Sequence, residues 1–203
     1  MIRSKAEIER YARRLLGVIC DYPIECLTCA DKPDLQDAAH SYGVEVVEDC
    51  YSNEKEATRF VSSIWHRRVS EIEPGQIKKL EKLGGSITEE NGIVTSAKLG
   101  TTPNNPAHLI DTIKRKVEKL NHSGYETFAS YGLYVIVDTV SLFGSYVQST
   151  IEAIADYQNT HKQIFETIYL DGGFELCICD MKRKSFVRKP ISREDKEKLW
   201  ENM

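Results

Sequence analysis

The run YGLYVIVD at 131–138 constrains this chain more than any other stretch. It is too continuously apolar for a strand with one face in water, so it reads as the central strand of a sheet covered on both sides. Such a strand needs helices to cover it, and amphipathic patterns lie on either side of it in sequence. Ile8, Tyr11, Ala12 and Leu15 take the i, i+3, i+4, i+7 spacing of a helix over 5–16. Ile110, Ile113, Val117 and Leu120, at i, i+3, i+7 and i+10, likewise line one side of a helix over 106–121, with Lys114, Arg115, Lys116 and Lys119 around the other faces. A helix near 146–162, strands near 164–170 and 174–180, and a final helix capped by Ser192 follow.

Before the central run, IECLTC (24–29), KPDLQD (32–37) and YGVEVVED (42–49) carry β-branched runs broken by Pro33 and Gly43, the pattern of two short strands joined by a turn. From Asn53 the period becomes helical, with Ala57, Phe60, Val61, Ile64 and Trp65 as a stripe running to about Ser70, and Asn53 and Glu56 as a capping box. A short charged segment and Gly84-Gly85 lead into ITEENGIVTSA (87–97), where Asn91-Gly92 between two β-prone arms marks a tight hairpin. The expected fold class is α/β: a three-layer α/β/α arrangement with a mixed central sheet and an inserted β-hairpin. With 203 residues, of which 41% are apolar, a single domain spanning 1–203 can enclose one core.

Several function classes drop out. No stretch approaches the length of a membrane span, and Met1 to Arg14 is too charged for a secretory signal, so a cytoplasmic protein without a membrane partner is expected. A net charge of -4 does not suit a protein that coats nucleic acid indiscriminately, although it permits a local basic face. There is no GxxxxGK[ST] and no GxGxxG, which removes the commonest nucleotide sites of α/β domains. Cys26-Leu-Thr-Cys29 has a zinc-knuckle gap, but Cys177 and Cys179, two apart on a strand, point the same way and read as core. All six cysteines are expected to be reduced thiols. His66, His108, His122 and His161 sit on or beside charged helices and read as surface residues, and Asp138 as the start of a loop after the central strand.

Asp34 and Glu45, eleven residues apart on or beside neighbouring strands, can be brought together by a hairpin. Paired carboxylates suit a hard divalent cation such as Mg²⁺ or Mn²⁺, which takes one or two protein carboxylates and keeps its waters. A solvated reading is also open: Asp after Pro starts turns, and Glu45 can be the outward residue of an edge strand. Against it, Glu45, Val47 and Asp49 share one strand face, which is not cleanly polar.

In the order helix, strand with Pro33-Asp34, strand with Glu45-Val46-Val47, helix, the sequence resembles the restriction-endonuclease-like PD-(D/E)xK nuclease superfamily. The resemblance implies Asp34 and Glu45 as metal ligands, Glu7 on the first helix as an accessory carboxylate, and hydrolysis of DNA phosphodiester bonds by a Mg²⁺- or Mn²⁺-dependent endonuclease. The family's lysine is replaced by Val47; family members supply an equivalent group from a neighbouring element, and Lys55, Lys98 and Lys114 are the candidates in this chain. The alternative is a catalytically inactive nuclease-fold module serving a phage, plasmid or defence system. Nucleic acid is the partner implied, and a homodimer is the common assembly for action on duplex DNA, though no interface is legible. MKRKSFVRK (181–189) concentrates five basic residues around Phe186, either as a phosphate-gripping cluster or as a solvated turn.

Overall fold

The computed structural model describes residues 4–20, 26–50, 60, 61, 63, 64, 66–82, 85–98, 105–122, 124–192, 194, 195 and 199. The chain packs as two compact units, one formed by residues 3–49 and 104–203 and the other centred on 50–103.

The larger unit is built on a seven-stranded mixed sheet. It opens with α1 (Lys5–Ile19), followed by β1 (Leu27–Cys29), β2 (Leu35–Asp37) and β3 (Tyr42–Asp49). Ser4 caps α1 through its Oγ, and Glu7 returns the bond to the Ser4 backbone, a capping box that settles two orphan donors. β1, β2 and β3 form an antiparallel meander, and β3 then pairs in parallel with β6 (Ser130–Val137) along its whole length. The connection carries α3 (Ala107–Asn121). A second helical connection, α4 (Gly144–Gln158), leads from β6 to β7 (Thr167–Asp171), again parallel. β8 (Glu175–Asp180) and β9 (Ser185–Pro190) finish the sheet as an antiparallel hairpin, giving the order β1-β2-β3-β6-β7-β8-β9.

All residues of β6 from Tyr131 to Val137 are buried, as the uninterrupted apolar run requires. Leu133, Val135 and Val137 pack with α3 and α4, while Tyr134 and Ile136 pack with α1. Successive β6 side chains therefore face two different helical layers, and the mixed three-layer α/β/α expectation holds for this unit.

The smaller unit contains α2 (Pro74–Lys82) and the antiparallel pair β4 (Ser86–Glu90) and β5 (Ile93–Lys98). Asn91 and Gly92 both adopt positive φ at the turn, the conformation that their short or absent side chains allow and a tight hairpin needs. A small core of Ile64, Ile72 and Val94 holds this unit together. The inserted hairpin is thus where the sequence placed it.

Three differences are informative. The stripe expected from Asn53 to Ser70 falls mostly outside the described residues, but Val69–Glu71 form a 3₁₀ turn and His66 has positive φ, so helix does not continue to Ser70. The charged segment after it is α2, a nine-residue helix with Leu80 its one buried residue, whose two apolar side chains, Ile77 and Leu80, are too few to mark a stripe in sequence. The basic stretch after β8 turns at 181–184 and continues as β9.

The interior of the sheet is not wholly apolar. Tyr134, fully buried, donates its hydroxyl to Asp171 Oδ2 at 2.7 Å, and Gly173 N–H donates to the other carboxylate oxygen. Tyr134→Phe removes one donor and leaves a buried oxygen unsatisfied; a loss of about 1–3 kcal/mol is expected, read from the midpoint of urea unfolding.

Candidate metal centre

The β2/β3 ladder ends with Leu35 opposite Val44, and Asp34 is the next residue back along β2. Its side chain takes over where the ladder stops: Oδ2 accepts the Val46 N–H at 2.8 Å, so a carboxylate occupies the fork between the parting strands. Oδ1 accepts from Lys5 Nζ at 2.9 Å, and the same ammonium reaches Glu9 Oε1 at 3.3 Å. Asp34 is 2% exposed, whereas the Lys5 side chain is largely in solvent.

Glu9 completes this cluster. Burial raises its carboxyl above the ordinary range; Lys5 pulls the other way, and the nearby Asp34 charge adds to the rise. Lys5 itself is pushed well up, first by its hydrogen bond to Asp34.

Glu45 projects from β3 toward α3. Lys116 Nζ donates to its Oε1 at 2.6 Å, with both side chains mostly buried. Its Oε2 is buried and accepts from nothing among the described residues. Tyr125, half-buried in the loop after α3, has its phenol proton held on by burial first and then by the Glu45 carboxylate.

The same helix engages a second acid of β3. Asp49, fully buried, accepts from His108 Nδ1 at 2.7 Å and from the Thr139 hydroxyl. His108, Thr112 and Lys116 are four apart on α3; Asp49, Val47 and Glu45 are two apart on β3. Eight residues of helix and four of strand both span about 12–13 Å, which is why one helix face can meet one strand face at both ends. The shared face of Glu45, Val47 and Asp49 is therefore the one that α3 covers.

The structure redistributes several expected roles. Glu7 is spent in the capping box of α1, and Glu9, two residues on, is the helix-one carboxylate beside Asp34. Lys114 does not reach Glu45: its Nζ lies 5.1 Å from the centre of the Tyr157 ring. Residues two apart on a helix are separated by about 200°, so Lys116 points to the sheet where Lys114 points away. Lys55 lies outside the described residues, and Lys98 ends β5 in the smaller unit. Asp138 is exposed and gives its N–H to the Asp49 carbonyl. His108, expected on the surface, is instead held by a buried acid.

The other basic and sulfur candidates are accounted for locally. Lys184 pairs with Asp156, Arg188 with Glu175 and Arg183 with Asp180, so most of the charge in 181–189 is already balanced. Cys177 and Cys179 lie in the core, where burial pushes the Cys177 thiol up to about 11, while Cys26 and Cys29 are exposed. Among the described residues no group of three or more His, Cys, Asp or Glu side chains forms a preformed metal cage, and none of the helices is long and apolar enough to cross a membrane. Comparison with protein-family models, with curated proteins and with solved structures finds no match to this chain.

The crowding of Glu9 gives a pH-dependent outcome. Its proton is bound more tightly in the folded state, so the stability it contributes is present in acid and is lost as pH rises through the raised value. Glu9→Gln, which cannot ionise, is expected to unfold at higher urea than the parent at neutral pH, and the difference should vanish below the ordinary carboxylate range.

Proposed function

We propose that the larger unit is a metal-dependent nuclease-like domain acting on DNA phosphodiester bonds, with Asp34 and Glu45 holding Mg²⁺ or Mn²⁺. The observation that carries this reading is Glu45 Oε2, a buried carboxylate oxygen with no hydrogen-bond partner among the described residues, beside a lysine and on the strand that pairs with the one Asp34 precedes. A buried oxygen left without a partner is costly, and an all-oxygen donor set is what a hard divalent cation prefers. When bound, such an ion supplies charge stabilisation on a phosphodiester and lowers the pKa of its water.

The roles of the chain's own residues follow from where they sit. Glu9 extends the acidic cluster at Asp34, and Lys5 balances that cluster when no cation does. Lys116 fills the position left open by Val47: it reaches Glu45 from α3 and can hold or hand on a proton next to that carboxylate.

A second reading, a noncatalytic module with the same fold, is favoured by a different observation. Asp34 and Glu45 each carry a lysine of their own, from helices in opposite layers, and each is less than a tenth exposed.

Cleavage of supercoiled plasmid and of single-stranded DNA with Mg²⁺ or Mn²⁺ separates the two. Asp34→Asn and Glu45→Gln are expected to lower the rate by at least about a hundredfold, and Lys116→Gln by about a hundredfold or more at unchanged cation binding. Titration of Mn²⁺ by calorimetry should show one site lost in Glu45→Gln. Equal cleavage in all the proteins, or none together with no Mn²⁺ binding, would leave the noncatalytic module.

A further inference from the structure

The sheet of the larger unit ends differently at its two edges. β1 closes one edge with three residues, too short to offer another strand much of a ladder. β9 closes the other with six, paired to β8 in unbroken register, and no strand among the described residues pairs with its outer side. An open edge presents unpaired N–H and C=O groups, and folded proteins blunt it with a bulge, a proline or charges held outward. β9 has no bulge, and its one proline, Pro190, is its last residue. Its cations are turned back into their own chain: Arg188 onto Glu175 and the Leu142 carbonyl, and Lys189 Nζ onto the Ile19 carbonyl at 2.7 Å. Lys184, just before the strand, is held by Asp156.

Exposed apolar surface gathers at the same edge. Among the described residues the exposed large hydrophobic side chains are Val18, Phe143, Ile164, Phe174 and Val187, and three of these five lie on or beside β9. Val187, 58% exposed, stands in the middle of the strand opposite Ile178 of β8, which is itself only partly buried. Phe174, 77% exposed, adjoins the end of β9, where its carbonyl accepts the Ile191 N–H. Phe143, 58% exposed, follows Leu142, whose carbonyl holds Arg188. Apolar side chains left in water along an open strand edge mark a place where another strand adds.

The charges of β9 select the occupant. A strand pairs antiparallel with its own copy across a two-fold axis, and because side chains alternate between faces, one residue must then face itself. Centred on Arg188, the pairing sets two guanidinium groups opposite each other; centred on Phe186, it sets Lys184 opposite Arg188, and like charges so placed are destabilising. Centred on Val187, it brings no two cations together. Val187 faces Val187, Arg188 faces Phe186 and Lys189 faces Ser185. Arg188 already lies 5.5 Å from the centre of its own Phe186 ring, so this aromatic face accepts a guanidinium. Ile178 and Val187 of each copy then form one apolar row across the axis. We infer that β9 pairs antiparallel with β9 of a second copy of this chain, centred on Val187, and joins two sheets into one. The inference rests on the sheet edge alone and involves none of the residues of the nuclease reading.

Sedimentation equilibrium of the intact chain tests it. A particle of twice the chain mass is expected at about 100 µM, as suits a strand-sized interface at the small end of the range. Val187→Lys places two ammonium groups face to face at the axis and is expected to raise the dimer dissociation constant at least about tenfold, with the far-UV circular dichroism of the parent retained. A second variant reads the register without weakening the contact. Facing residues of antiparallel strands have Cα atoms about 4.5–5.5 Å apart, within disulfide reach, so Val187→Cys, in a chain whose exposed Cys26 and Cys29 are changed to serine, should link two copies on oxidation. Ser185→Cys in the same background should not, because in this register the two thiols are offset by four residues, about 13 Å. Asp34→Asn and Glu45→Gln should leave the dimer unchanged, whatever they do to DNA cleavage. A monomer at every concentration, a dimer equally tight in Val187→Lys, or a dimer linked as readily by Ser185→Cys as by Val187→Cys would overturn the inference, and the first of these would leave the edge to a strand of another protein.

Discussion

Burial of β6 on both faces is the constraint from which the larger unit follows. Its apolar side chains alternate between two sides, so neither side can be left to water, and each needs a helical layer. α1 supplies one layer, α3 and α4 the other. The parallel neighbours β3 and β7 place β6 at the centre and require the long connections that α3 and α4 provide.

Placing helices on both faces also traps acids. Glu45 and Asp49 lie under α3, Asp171 lies under α1, and Asp34 fills the fork at the end of the β2/β3 ladder. Each has a donor from a different element. The two pairs between α3 and β3 do more than neutralise charge. Sliding α3 by one turn would leave Glu45 and Asp49 buried without Lys116 and His108, and an uncompensated buried charge costs about 3–5 kcal/mol. An apolar contact would tolerate such a slip far better. Register of helix on strand, and with it the position of Lys116 beside Glu45, is thereby fixed by electrostatics rather than by shape alone.

How much could be read from the sequence depended on whether a signal was local. The β6 run, the α1 and α3 stripes and Asn91-Gly92 are local patterns with single physical meanings, and all correspond to observed elements. The common face of Glu45, Val47 and Asp49 was legible from strand alternation. What α3 presents to that face was not, because choosing Lys116 over Lys114 needs the rotation of the helix about its axis, which only packing sets. The same limit separates Glu9 from Glu7: helical spacing puts both near the stripe, and Ser4 decides between them by recruiting Glu7 to the cap. β9 was obscured because its burial pattern is mostly exposed, so its strand character comes from pairing with β8 rather than from its own composition.

The Asp49–His108 pair has a further consequence for how the chain is assembled. Asp49 is the last residue of β3, and His108 lies in the first turn of α3, so the pair joins the two places where the larger unit lets the chain out and takes it back. The β3–α3–β6 crossover is closed by side chains and by the parallel ladder, and the described core residues of that unit come from 3–49 and 104–203. In topological terms everything between is an excursion of one connecting loop. Lengthening a closed loop costs free energy only logarithmically. Such a neck can accept, lose or exchange a whole folded segment while the sheet that carries the acidic residues stays as it is.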